Sequence, residues 1–305
     1  MSQSHRPRGH NSCFSGSTSF VPNIAGGASK LPVASKVQAA RAALSAQRED
    51  GAGGVDAPRL EKRTYLNQPH YRINLTDYGN GLAEIGWSFV PVIRPMPVGK
   101  GKSDFRELNE QRAVRRARSR LRKLLLAAKA DHLLTLTYRI NQTDFAQASA
   151  DLTRFIRLVR EKQQTFVFVA VAERQKRGAW HWHLAVPGRQ DVQLLRACWR
   201  KVIGEGNIDV SAPRGNPMQR QLKLVAYLGK YLAKGFDDKV DRQLNARRFR
   251  SSLGIEVPFE HIELAEEYKT DVVQFIFGYL QQTAGNVGFV WRSKDDRAGW
   301  ACSWN

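Results

Sequence analysis

The chain has 305 residues, 42% of them hydrophobic, enough for a sizeable core in one or two domains. Its 48 Lys and Arg against 28 Asp and Glu give a formal charge of +20, which favours a polyanionic partner, nucleic acid first, because each neutralised phosphate releases counterions. Three scattered cysteines, Cys13, Cys198 and Cys302, argue against a disulfide scaffold or a cysteine zinc site. With no apolar run of about 18 residues and no secretory leader, no membrane association and an intracellular location are expected.

Residues 1–60 are rich in Ser, Gly, Ala, Pro and Arg, with Gly26-Gly27 and Gly51-Ala52-Gly53-Gly54 breaking any periodicity. They read as a basic, disordered tail. An accessory segment, 61–130, follows. Its aromatic first part, from Tyr65 to Val98, suggests short strands or an irregular cap, ended by a proline-rich run from Pro91 to Pro97. Val98 to Ser103 imitates a phosphate loop, but the required first glycine is Met96, so no ATP-driven helicase activity is expected. From Ser103, a capping residue, a basic helix runs to Lys129 and carries Arg112, Arg115, Arg116 and Arg120 as candidate phosphate contacts. Leu121, Leu124 and Leu125 offer it a packing stripe.

Residues 131–295 carry the main pattern. A strand at 132–138 precedes a helix at 144–162. Strands at 165–173 and 179–186 flank a turn and form a hairpin; a helix at 191–202 and a short strand at 207–210 follow. Gln219 to Lys234 reads as a helix stopped by Gly235. Beyond an acidic stretch, 272–279 fits a helix or a strand, 287–291 a strand, and 296–305 a C-terminal tail. The fold class is α+β: a central antiparallel sheet with helices packed on it.

The chemistry centres on Trp180-His181-Trp182-His183-Leu184. Alternation places His181 and His183 on one face, about 6–7 Å apart, with apolar residues on the other. The hairpin returns Glu173 beside them, giving a His, His, Glu metal candidate, with Asp131 and Gln175 as competitors for the third position. Imidazole pairs also suit Zn²⁺, while Mg²⁺ prefers oxygen. On the 219–234 helix, Tyr227 and Tyr231 share a face, with Lys234 in line and Lys230 beside it. A phenol is a poor nucleophile at neutral pH unless a base or positive charge assists it.

In this order, Leu134-Thr135-Leu136-Thr137, His181-Trp182-His183-Leu184 and Tyr227-x-x-x-Tyr231 resemble the three motifs of HUH endonucleases. The chain is most similar to the two-tyrosine rolling-circle replication initiators of phages and plasmids, the gene A and gene II protein type, over roughly residues 131–255. The resemblance implies an RRM-like or palm-like HUH nuclease core and a divalent ion, Mg²⁺ or Mn²⁺, on His181, His183 and Glu173. It also implies Tyr227 and Tyr231 as nucleophiles, assisted by Lys230 or Lys234. Arg247 and Arg248 would lie in the loop after the tyrosine helix and contact DNA. The implied partners are single-stranded origin DNA and the helicase and polymerase of a bacterial host, whose cytoplasm is the expected location. An HUH transposase and a non-catalytic basic DNA-binding protein are the alternatives.

Overall fold

The computed structural model describes residues 68–92, 105–237, 249–266 and 269–304. The tail expected at 1–60, the Ser103 cap and the candidate DNA contacts Arg247 and Arg248 lie outside them. Two five-stranded sheets form, every pairing antiparallel.

The first sheet opens with β1 (His70–Gly79) and β2 (Leu82–Val90). Gly79, Asn80 and Gly81 join them with φ of 77°, 53° and 78°, the left-handed backbone that a tight hairpin demands. Alternation sends Tyr71, Ile73 and Leu75 of β1 and Ala83, Ile85 and Trp87 of β2 to a common apolar face. The basic helix α1 follows at Arg106–Ala127, after Phe105, which supplies no side-chain cap.

The second sheet is built next, from β3 (His132–Tyr138), β4 (Val169–Arg174), β5 (Trp180–Val186), β6 (Gly206–Ser211) and the two-residue β7 (Arg250–Ser251). Its strand order is β6-β3-β5-β4-β7. Between the strands run α2 (Phe145–Lys162), α3 (Val192–Ile203) and α4 (Pro217–Asp237). Asp144 and Asp191 cap α2 and α3 by accepting backbone N–H bonds. One face of the sheet, with Leu134, Leu136, Trp182 and Leu184, packs on α2 and α3 through Phe155 and Trp199. Trp182 is fully buried there and donates its indole N–H to Ala148 O at 3.0 Å. The opposite face, with Leu133, Val169, Val171 and Ala185, is covered by α1 and α4 through Leu121, Leu124, Leu125, Leu224, Leu228 and Leu232.

Three differences from the sequence reading stand out. β4 begins at Val169 rather than 165, because Phe168 is held by Ser252, whose Oγ accepts the Phe168 N–H while its N–H reaches Phe168 O. Gly235 does not stop α4, which continues to Asp237; glycine costs a helix about 1 kcal/mol, less than the leucine stripe of this helix gains by burial. The third concerns the domain bounds drawn at 295 and 296. β8 (Phe259–Ala265), α5 (Lys269–Ala284), β9 (Phe289–Arg292) and β10 (Ala298–Cys302) all return to the first sheet, whose order is β8-β1-β2-β10-β9. The expected tail thus holds an interior strand, because Ala301 and Cys302 are apolar residues that the sheet buries. Val272, Phe275, Ile276, Tyr279 and Leu280 of α5 cover the apolar face of this sheet.

α1 joins the two halves. Leu126 packs against Tyr78 and Leu82 of the first sheet, together with Met218 and Leu222 of α4. Beside them the buried Glu84 accepts from Arg122 Nε at 2.8 Å, Tyr78 Oη at 3.1 Å and Trp300 Nε1 at 3.2 Å, with Lys123 Nζ at 3.6 Å. Arg122 and Lys123, although they belong to the basic helix, therefore turn inward. The helix is a strut as well as a charged surface.

Candidate active site

The face of the second sheet beneath α4 gathers the chemistry. Cross-strand register places Glu173 opposite His181, and His183 between Val171 on β4 and Thr135 on β3. Both imidazoles are buried. Each has its Nδ1 beside a polar group: Gln175 Nε2 lies 3.1 Å from His181 Nδ1, and Thr135 Oγ1 lies 3.2 Å from His183 Nδ1. The Nε2 atoms differ. His183 Nε2 is 2.8 Å from Glu173 Oε2, whereas His181 Nε2 is buried with no hydrogen-bond partner among the described residues. A buried, unpartnered ring nitrogen is costly, and at His183 the Thr135 hydroxyl can accept from Nδ1–H, as the outer partner of a metal-binding histidine usually does.

Glu173 is shared. Its Oε1 accepts from Lys234 Nζ at 3.1 Å while Oε2 faces His183. Among the described residues no three His, Cys, Asp or Glu side chains form a ready metal cage. His181 Nε2, His183 Nε2 and the Glu173 carboxylate could hold a cation by exchanging the direct His183–Glu173 contact for one through the ion. Burial depresses the pKa of both histidines. At His181 the neighbouring His183, when protonated, and Arg177 add to that effect, and at His183 Glu173 opposes it. Both rings are therefore neutral near pH 7, the form that donates a lone pair.

The leucine stripe of α4, Leu224, Leu228 and Leu232, buries against the sheet and so aims the neighbouring flank at the histidines. Tyr231 stacks on His183, with ring centroids 4.5 Å apart and planes 20° from parallel. Tyr227 meets His183 edge-on at 5.6 Å and Tyr231 at 4.8 Å. The two phenol oxygens are 3.2 Å apart, so both hydroxyls face one spot on the surface. Tyr227 is the more open ring, with about a third of its surface exposed. Its pKa is pushed above the ordinary phenol value by burial, by the hydrogen bond and charge of Tyr231, and by Glu173 and Asp209. The phenol is protonated at neutral pH.

The structure thus brings together His181, His183, Glu173, Tyr227, Tyr231 and Lys234. It does not bring in Lys230, which is exposed and makes no hydrogen bond or ion pair with the described residues. Asp131 is no competitor for the third ligand position. It accepts from Gly188 N at 2.7 Å and pairs with His132, at the far end of β3. Gln175 backs His181 from its Nδ1 side instead. Arg112, Arg115, Arg116 and Arg120 are exposed on α1. Two contributors were given no role from the sequence: Thr135, quoted there within the first of the three motifs, and Asp209, which lies beside Thr135 in the β3–β6 ladder. Their importance comes from register, which no local signal discloses.

No curated protein and no solved structure matches the chain. Residues 131–236, from the start of β3 almost to the end of α4 and so spanning every residue of this cluster, match the family model for the replication-associated protein of the ORF2 and gene II protein type.

Proposed function

We propose that this chain initiates rolling-circle DNA replication by nicking one strand through a covalent phosphotyrosine. The observation that carries the reading is the pair of phenol oxygens 3.2 Å apart beside two buried imidazoles, one of them stacked on Tyr231. The match of 131–236 to a replication-associated family supports the biological role. The charge of +20 suits a nucleic-acid substrate.

In this reading one tyrosine oxygen attacks a backbone phosphorus in line with the bond to the 3′ oxygen. The Tyr Oη–P bond forms and the P–O3′ bond breaks. The phenol proton ends on the departing 3′ oxygen, leaving a free 3′-hydroxyl and a 5′-phosphotyrosyl ester. One phosphodiester replaces another, so no nucleotide is consumed. The freed hydroxyl would prime a host polymerase while a helicase unwinds the duplex. The second tyrosine, already within hydrogen-bond distance, would attack the regenerated site after one round; the 3′-hydroxyl so freed would then attack the first phosphotyrosine, re-forming a P–O3′ bond that closes the displaced strand and returning the proton to the first tyrosine.

His181, His183 and Glu173 are the residues that would hold a divalent ion, Mg²⁺ or Mn²⁺, and the unpartnered Nε2 of His181 supports that reading. Bound there, the ion would draw charge from the scissile phosphate and ease loss of the phenol proton. Lys234 would fix Glu173 and add positive charge close to the reacting phosphate.

The test is incubation of the chain with labelled single-stranded DNA from the replicon that encodes it, with Mn²⁺, followed by a denaturing gel. A shifted protein–DNA adduct is expected from the wild type and not from Tyr227→Phe/Tyr231→Phe. Binding of the DNA without any adduct would favour a non-catalytic DNA-binding protein instead.

A further inference from the structure

At the β7 edge of the second sheet lies an open groove between α2 and the segment 249–253, reached by Arg120 of α1. Its lining includes Arg120, Arg157, Arg160, Arg250, Phe249 and Leu253. Among the described residues four guanidinium groups face it against one carboxylate, Glu161, whose contact with exposed Arg157 is 4.0 Å. The imbalance is local, not simply a share of the net charge.

Two of these arginines are held in place before any ligand arrives. Arg160 Nη2 donates to Ser252 Oγ at 3.1 Å and to Phe166 O at 3.4 Å, and its guanidinium lies over the Phe168 ring at 5.9 Å. Arg250 Nη1 donates to Ser149 O at 2.9 Å. The acceptors that hold Arg160 are uncharged, so its positive charge is oriented without being neutralised by them. A guanidinium keeps five N–H donors in a planar fork, and Arg160 spends only one nitrogen on these anchors. Ser252 ties the edge segment to Phe168 on both sides, so the groove wall is a fixed part of the sheet.

The groove also has a continuation. Arg112, Arg116 and Arg120 follow one another at four-residue spacing on α1, a row with steps of about 6 Å, and all three are exposed. A small anion would use one or two of these groups. A row that leads out of a four-arginine groove fits a polymer of phosphates. Phe249 and Leu253, the latter 95% exposed, add apolar surface where unstacked bases can rest. A duplex keeps its bases stacked inside and has no use for that surface.

We infer that this groove and the Arg112–Arg116–Arg120 row form a binding track for the backbone of single-stranded DNA, separate from the tyrosine–histidine cluster. Only the identity of the strand rests on the nicking reading. The track itself is tested by binding, without cleavage.

The experiment uses the full chain and a labelled oligothymidylate, with dissociation constants measured by fluorescence anisotropy across a fourfold range of salt. Arg120→Gln and Arg157→Gln change exposed side chains, and circular dichroism melts verify the fold. Arg139→Gln is the control for lost charge: Arg139 pairs with Glu205 near the opposite, β6 edge of the sheet. Each groove substitution is expected to weaken binding several-fold and to lower the slope of log affinity against log salt by about 0.7, the value for one single-strand phosphate. Over a fourfold rise in salt the wild type then loses about 2.6-fold more affinity than the variant. Slopes and affinities equal to those of Arg139→Gln would overturn the track. Equal losses on duplex DNA would overturn its assignment to single strands. Adduct formation by the wild type is scored in parallel, so failure of the track and failure of nicking give different results.

Discussion

Replacing Thr135 with valine tests whether the imidazoles are held as metal ligands. The side chain is half-buried, and valine keeps its branched shape and its preference for a strand, so the sheet is undisturbed. What is lost is the hydroxyl 3.2 Å from His183 Nδ1. Taken as an ordinary hydrogen bond it is worth about 1 kcal/mol, near fivefold in an equilibrium constant. Outer partners of metal-binding histidines typically cost about 10- to 100-fold in metal affinity when removed. The Mn²⁺ concentration giving half-maximal cleavage is therefore expected to rise about tenfold in Thr135→Val. Saturating Mn²⁺ should restore most of the rate. The assay is a titration of adduct yield against Mn²⁺, with melting temperature as the check on folding. An unchanged Mn²⁺ requirement at normal stability would refute the account of His183 as a ligand oriented through Nδ1.

His181→Ala should abolish cleavage while leaving single-stranded DNA affinity intact. It should cost no more than about 2 kcal/mol in urea unfolding, because the residue gives up one hydrogen bond and an already unpartnered nitrogen. A pH effect on stability follows from both histidines. Their folded pKa values are lowered, so below an unfolded value of about 6.5 the unfolded chain takes protons first. Stability of the metal-free protein should accordingly fall as pH drops through that value and level off below the folded pKa values. Urea titrations should show a shallower dependence in His181→Ala/His183→Ala; an equal one would contradict the assignment. Arg122→Leu strips the 2.8 Å partner from a carboxylate that is almost wholly buried, and should destabilise the protein by about 3 kcal/mol. Adding Glu84→Leu should recover most of that, and a purely additive double variant would count against a buried pair.

The parts of the molecule legible in the sequence are those set by short-range periodicity. Alternation around His181 and His183 put both on one face, and the hairpin spacing returned Glu173 to them; the cross-strand ladder has Glu173 opposite His181. The four-residue step from Tyr227 to Tyr231 likewise gave a shared helix face. What escaped depends on contacts far apart in the chain. β1 pairs with β8, and β2 with β10, across roughly two hundred residues, so a segment that looked like a tail is an interior strand. Gly235 misled because a local stop signal lost to the packing of a whole helix. Lys230 and Lys234 look alike as letters, yet only Lys234 reaches Glu173, since helix rotation and sheet register together decide which amine arrives. Asp131 and Glu173 were both carboxylates near a strand end, and only three-dimensional pairing separated them.

The central claim is that a tyrosine of α4 forms a covalent bond with DNA. Mass spectrometry of the adduct formed with labelled single-stranded DNA and Mn²⁺ tests it most directly. The account predicts a nucleotide phosphate esterified to Tyr227 or Tyr231, absent when chelator is present and absent from the double phenylalanine variant. An adduct mapped to any other residue, or one that survives Tyr227→Phe/Tyr231→Phe, would contradict it.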